Sequence, residues 1–295
     1  MKPRERVISA IAHREPDKTP KGEIYIDDTI VKDTVLCDQV DFSARHQFAQ
    51  ILGQDIFCVN PLYPEANKHL SAKEILFPDL KKWSLDTELY IFVMLDGPFG
   101  WGVRYLGFEK FLLSVAKQTI LFKDILEKVV RLNKELISRA YGEGAHGILI
   151  ADDIAYQRGL LVNPETLRES YFFALNSLVK HIKFQGMPAF FHSDGNLNDI
   201  IKDLINVGFD GLQCIEKGAG MDISRIKKMY GRHLCLWGNL DISELMLPCT
   251  EEELKLTVED LISSVSYGGG YIFGTSSGLV RGINYNSMKS VFSGR

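Results

Sequence analysis

Short apolar, aromatic or β-branched runs recur along the chain at Gly22–Ile26, Asp55–Asn60, Ile91–Asp96, Gly147–Asp152, Ala189–His192, Gly211–Glu216, Leu234–Asn239 and Tyr271–Thr275. Runs this short, bounded by polar or turn residues, predict buried strands. Apolar residues at helical spacing fill most of the intervals, over Phe108–Arg139, Pro164–Phe184, Asn198–Val207, Asp222–Tyr230 and Glu251–Ser266. A further helix is predicted over Arg4–His13 from Val7, Ile8, Ile11 and Ala12, with Pro16 and Pro20 beyond its end. Strands that alternate with helices predict parallel βαβ units. Eight of them, in a chain a little longer than the roughly 250 residues usual for the fold, favour a closed (β/α)8 barrel over an open doubly wound sheet. Neither G-x-G-x-x-G after the first strand nor G-x-x-x-x-G-K-[ST] is present, so the nucleotide fingerprints of open sheets are missing. The interval Pro61–Trp83 has weaker periodicity and predicts an elaborated loop above the second strand. No repeat, low-complexity tract or linker divides the chain, and one domain over 1–295 is the economical reading.

Composition narrows the functional classes. With 45% hydrophobic and 24% charged residues the chain reads as a soluble globular protein. A net charge of -4 with Lys and Arg spread along the chain gives no footprint for nucleic acid. No apolar run approaches bilayer length and Met1-Lys-Pro-Arg-Glu-Arg6 lacks a secretory h-region, so the expected location is cytoplasmic and no membrane partner is expected. The five cysteines, Cys37, Cys58, Cys214, Cys235 and Cys249, are scattered and form no C-x-x-C pair, so neither a disulfide framework nor a zinc ribbon is predicted. Cys214 and Cys235 fall inside strand-like runs and are expected as small core hydrophobes.

The chemistry gathers where strands end. In Pro188-Ala-Phe-Phe-His-Ser-Asp-Gly-Asn196 an apolar strand gives way to His192 and Asp194, which share a face at i and i+2. Gly195 permits a turn, and Asn196 can cap the pattern that follows. The carboxyl ends of barrel strands form one rim, so distant residues can be pooled there: Glu23, Asp27, Asp96, Asp152, Asp153, His192, Asp194, Gln213, Glu216, Asn239, Asp241, Ser276 and Ser277. Acids this dense suit a metal site or a cationic or donor-bearing substrate, and His192, Asp194 and Glu216 could supply three N/O ligands. The same acids could instead pair with strand-end amides and helix N-termini. Of Asp152 and Asp153, which point oppositely if the strand continues, one is expected at the site and the other in a structural role. Asp96 in Leu95-Asp-Gly-Pro-Phe99 reads equally as a turn residue or a substrate contact. No G-x-S-x-G elbow and no Cys beside a His point to covalent hydrolysis.

Several motifs together resemble the uroporphyrinogen decarboxylase superfamily. They are Arg4-Glu-Arg-Val-Ile-Ser-Ala-Ile-Ala-His13 with Pro16-Asp17, Leu95-Asp-Gly-Pro-Phe99, Asp152-Asp153, Phe191-His-Ser-Asp-Gly-Asn196, Trp237-Gly-Asn-Leu-Asp241 and Gly269-Gly-Tyr-Ile-Phe273. The likeness implies a (β/α)8 barrel. The His-Ser-Asp-Gly-Asn form is most similar to corrinoid-dependent methyltransferases, including methoxyl demethylases. This implies transfer of a methyl group between a small methylated compound and cobalamin on a separate corrinoid protein. The resemblance also implies zinc, with His192, Asp194 and Glu216 as catalytic and metal-binding residues and Asp96, Asp152, Asp153, Asn239 and Asp241 contacting substrate. The zinc methyltransferases of the superfamily carry His-x-Cys and a last Cys; here Asp194 replaces the first Cys and Ser277 stands near the place of the second. Two alternatives accompany this implication. Decarboxylation of uroporphyrinogen is one, although Lys21-Gly-Glu-Ile-Tyr-Ile-Asp-Asp28 is acidic where the decarboxylases carry an arginine-rich R-Q-A-G-R segment. A barrel without chemistry that binds a corrinoid protein or ligand is the other.

Overall fold

The apolar runs become a parallel sheet in the computed structural model, which describes residues 1–64, 71–246 and 250–292. Its strands in chain order are Ile56–Val59 (β1), Tyr90–Asp96 (β2) and Gly147–Ala151 (β3), then a two-stranded hairpin, Ala155–Tyr156 (β4) and Gly159–Leu160 (β5). Ala189–His192 (β6), Gly211–Cys214 (β7), Cys235–Gly238 (β8) and Tyr271–Ile272 (β9) follow. The main sheet has the order β1-β2-β3-β6-β7-β8-β9, and every pairing in it is parallel.

Gly22–Ile26, expected as the first strand, is not one. The segment nevertheless bonds to both edges of the sheet: Lys21 O accepts from Asp55 N at 2.7 Å, while Gly22 N donates to Phe273 O at 3.0 Å and Asp27 N to Leu279 O at 2.8 Å. Side chains break the ladder between these points. The Glu23 carboxyl, rather than a carbonyl, takes the Thr275 N–H at 2.8 Å, and Asn60 Nδ2 donates to Ile24 O at 3.0 Å. Seven strands and one irregular stave therefore close the ring, giving the (β/α)8-type barrel that the alternation predicts.

Alternation along the strands builds two cores. Outward residues such as Ile91, Val93, Ile148, Ile150, Phe191 and Leu212 pack against the helices. Inward ones, among them Ile24, Ile56, Tyr90, Phe92, Leu149, Phe190, Trp237 and Ile272, fill the barrel. Glycine makes room for the large rings. A Cβ on Gly147 would lie 2.6 Å from the Phe92 ring, and one on Gly211 would lie 2.1 Å from the Phe190 ring. The rings of Phe92, Phe190 and Trp237 meet at 5.1 to 6.3 Å between centroids and form the floor under the next inward layer, which is polar.

Each predicted helical pattern forms helix with finer breaks, while Asp28–Val35, Phe42–Ile51, Pro98–Leu106 and Tyr285–Phe292 are helices the spacing does not mark. The Phe108–Arg139 pattern divides into Phe108–Ala116 and Ile120–Gly142 at Gln118, whose φ is +45°, with Thr119 capping the second helix. Pro164–Phe184 divides at Ser170 into Pro164–Glu169 and Tyr171–Phe184. The helix expected over Asn198–Val207 begins only at Ile201, after Asn196 Oδ1 has accepted the Asn198 N–H at 3.0 Å. The expected loop Pro61–Trp83 contains a short 3-10 turn, Ala72–Glu74, and the start of a helix, Leu80–Asp86; residues 65–70 of it lie outside the described residues, as does Cys249. Among the described residues no helix is long and apolar enough to cross a membrane.

Candidate active site

The candidate site lies at the carboxyl ends of β3, β6 and β7. Phe190 faces into the barrel, Phe191 faces out, and His192 faces in again, so the period of two seats the imidazole directly above the aromatic floor. His192 is buried beside Gln213, the inward residue it pairs with on β7, and its Nδ1 is hydrogen-bonded to Gln213 Oε1. Gln213 Nε2 donates in turn to Ser276 O at 3.2 Å and Thr275 O at 3.4 Å. On the other side of the ring, Nε2 stands 3.8 Å from Asp153 Oδ1. The chain then turns at Gly195, with φ +86°, where a Cβ would lie 2.6 Å from Tyr156 N of the hairpin.

A carboxylate cluster surrounds the imidazole. Asp153 Oδ1 accepts the Asp194 N–H at 3.1 Å, and Glu216 Oε2 accepts the Gly195 N–H at 2.9 Å. Asp194 Oδ1 accepts from the thiol of Cys214 at 3.2 Å. The strand-like run predicts Cys214 as a small core hydrophobe, and it is buried, but its thiol faces the site. Left-handed backbone overrides the alternation: Cys214 has φ +86° and Ile215 +57°, and Asn239 Nδ2 holds the turn by donating to Ile215 O at 2.7 Å. Burial pushes the Cys214 thiol well above its ordinary range, and the charges of Asp194, Glu216 and Asp153 push it further. It is therefore a protonated donor to Asp194.

The remaining predicted residues divide between rim and scaffold. Asp152 and Asp153 point apart. Asp152 is buried and accepts from Phe99 N at 3.0 Å, Gly100 N at 2.6 Å and the Tyr171 hydroxyl at 2.6 Å, so from the end of the neighbouring strand it caps the helix Pro98–Leu106. Burial raises its carboxyl to about 7 against the pull of these donors. Asp96 ends β2 and pairs with Arg104 at 2.8 Å. Arg104 lies over the rings of Tyr63 and Trp101, at 4.9 and 5.6 Å from their centroids. Asp241 Oδ1 caps the helix Ile242–Met246 through Ser243 N at 2.9 Å. The structure thus brings together His192, Asp153, Asp194 and Glu216; it places Asp152, Asn239 and Asp241 in supporting bonds and Asp96 in an ion pair. Cys214 and Arg104 were missed, and neither is marked in the strand alternation. Gln213 had a signal, being a polar inward residue in an otherwise apolar strand.

The fit of a metal can be tested on these contacts. Asp194 is committed to the thiol and Glu216 to the Gly195 amide, and the donors stand in pairs. Among the described residues no three His, Cys, Asp or Glu side chains form a group that could hold a metal ion.

Comparison with known proteins extends the picture. Residues 79–293 match the model of the family described as Uroporphyrinogen decarboxylase (URO-D). The methylcobamide:CoM methyltransferase MtaA of Methanosarcina barkeri is 27% identical over 161 residues, which is 55% of this chain and 45% of that protein. MtaA of a second strain of that organism is 26% identical over the same length. The chain therefore spans a little under half the length of the curated relatives it matches. Among solved structures, a methyltransferase from Methanosarcina mazei superposes with a TM-score of 0.77 at 16% identity, covering 99% of this chain and 98% of that one. A sugar phosphate isomerase/epimerase from Parabacteroides distasonis superposes with a TM-score of 0.51 at 11% identity, over 93% and 92%. At these identities the structural likeness establishes the fold alone.

Proposed function

The chain belongs to the uroporphyrinogen decarboxylase family, and on that premise we propose that it is a methyltransferase that moves a methyl group between a small methylated compound and a separate corrinoid protein. Support comes from the likeness to methylcobamide:CoM methyltransferases and, above all, from one feature of the mouth. Among the described residues His192 Nε2 makes no hydrogen bond, and it faces the acids of the rim, with Asp153 Oδ1 at 3.8 Å. That position can hold or release one proton beside a bound substrate.

Reduced cobalt of the corrinoid, brought by its protein, supplies the electron pair that accepts the methyl group. The bond from methyl to oxygen, sulfur or nitrogen breaks, and the departing atom must gain a proton. His192 Nε2 delivers that proton in the demethylating direction and takes it up in the reverse. Asp153 steadies the imidazolium while the proton resides there. Asp194, held by the Cys214 thiol, and Glu216, held by the Gly195 amide, keep the wall of the site acidic and favour substrates that donate hydrogen bonds or carry positive charge. Zinc, which the family likeness implies, would need His192, Asp194 and Glu216 to converge; they do not form one ligand set here, and no step is routed through it.

The segment after Pro20, which holds no arginine over residues 21–28, also argues for methyl transfer over decarboxylation of a substrate with many carboxylates. In the segment after Pro20, Glu23 turns inward to Thr275, Asp27 caps a helix and Asp28 pairs with Arg45. Arg104 at the rim is neutralised by Asp96. The test is to mix the purified protein with a reduced corrinoid protein and methoxylated or N-methylated compounds, following methyl-cobalt formation by absorbance. Methylation is expected, and His192→Ala should lower it by about 10²–10⁴-fold, as for loss of a general acid or base. Conversion of uroporphyrinogen to coproporphyrinogen at enzymatic rates, without methyl transfer, would overturn the proposal.

A further inference from the structure

We propose that Gln213 is a positioning residue that fixes His192 in the tautomer carrying its proton on Nδ1, so that the Nε2 lone pair always faces the mouth. The use made of that lone pair rests on the methyl-transfer reading; the tautomer itself does not. Gln213 is fully buried, so water cannot satisfy its amide. One end of that amide faces two carbonyl oxygens, Ser276 O at 3.2 Å and Thr275 O at 3.4 Å, and an amide can face acceptors only with its NH2 group. The oxygen is thereby turned to His192 Nδ1, which must be the donor. The opposite tautomer would require the amide to flip, setting its oxygen against both carbonyls with no donor between them. Left to its surroundings without Gln213, the ring would instead place its proton on Nε2, toward the Asp153 carboxylate at 3.8 Å. In that tautomer Nε2 could not take up a proton, and releasing the one it holds would leave an anionic ring, so it would serve neither direction of the proposed reaction. The orientation is thus dictated from the loop after β9, through β7, to β6.

Nitrogen NMR of protein labelled with ¹⁵N-histidine tests this, the signal of His192 being assigned among the seven histidines by its disappearance in His192→Gln. At a pH where the ring is neutral, the expected result for wild type is a proton on Nδ1. Gln213→Leu should move the proton to Nε2, while Gln213→Glu, which keeps an acceptor, should leave it on Nδ1. In the methyl-transfer assay Gln213→Leu should lower kcat by about 10–100-fold, the usual cost of losing a supporting partner of a functional imidazole, with KM nearly unchanged. A wild-type ring protonated at Nε2 overturns the proposal, and does so even if Gln213→Leu fails to fold. An unchanged tautomer in folded Gln213→Leu overturns it as well. The expected tautomers in a protein that transfers no methyl group would support the positioning role and sink the functional reading alone.

Discussion

Glu23 shows how one side chain can look functional in sequence and act mainly on stability. It sits near a strand end, as a catalytic acid would, yet it is buried against Thr275, accepting the amide at 2.8 Å and meeting the hydroxyl at 2.6 Å. Burial raises its carboxyl from 4.5 to about 8, although both Thr275 bonds pull the other way. The folded chain therefore binds this proton more tightly than the unfolded chain. Its contribution to stability is complete below about 4.5 and is lost as pH rises through about 8. Glu23→Gln keeps one acceptor and one donor toward Thr275 but cannot ionise. Thermal melts across this range should show the variant gaining on wild type as pH rises, whereas a constant difference in melting temperature would mean that Glu23 does not titrate in that interval. Cys214 teaches the converse: the residue type suggested packing, and only its φ of +86° turns the thiol toward Asp194.

The hairpin β4–β5, which the apolar runs leave unmarked, leans on the turn that follows β6. Asn196 N donates to Tyr156 O at 3.0 Å, Ile154 N to Ser193 Oγ at 3.2 Å, and Gly195 lets the two backbones meet. Gly195→Ala would put a Cβ 2.6 Å from Tyr156 N while also requiring φ +86° of an L-residue. It should cost about 1–3 kcal/mol, the usual range for forced overpacking. Hydrogen exchange should rise over residues 154–161 and at the Glu216-bound amide of residue 195, and the denaturant midpoint should fall. Unchanged exchange there would show that the hairpin does not depend on this contact. Helix boundaries within long periodic runs were hidden for a different reason. Residues such as Gln118 and Ser170 break the helix through local backbone geometry and leave the apolar spacing intact on either side.

At the scale of the whole molecule, the barrel closes through its least regular part. Asp55, at the start of β1, binds the Arg6 guanidinium and accepts Lys21 N at 2.9 Å, so one buried carboxylate ties together the first helix, the irregular stave and the sheet. On the far side Trp237 Nε1 reaches across the interior to Gly22 O at 2.9 Å. Arg6→Ala would leave Asp55, a carboxyl that burial already pushes upward, without its cation. A loss of about 3–5 kcal/mol is expected from breaking such a pair on one side, measurable by urea unfolding; a loss below about 1 kcal/mol, the level of an exposed pair, would place the closure elsewhere. The sequence by itself determined the alternation of strands with helices, the barrel class and the pooling of acids with His192 at one rim, because burial on a strand is periodic and periodicity is written in residue types. Separation of Asp152 from Asp153 followed from the same rule. Tertiary structure alone decided that Gly22–Ile26 closes the ring without being a strand, that Cys214 faces the site, and which acids bond to the scaffold. Those outcomes depend on which distant donor reaches each acceptor and on φ angles at single residues, and a periodic pattern carries neither.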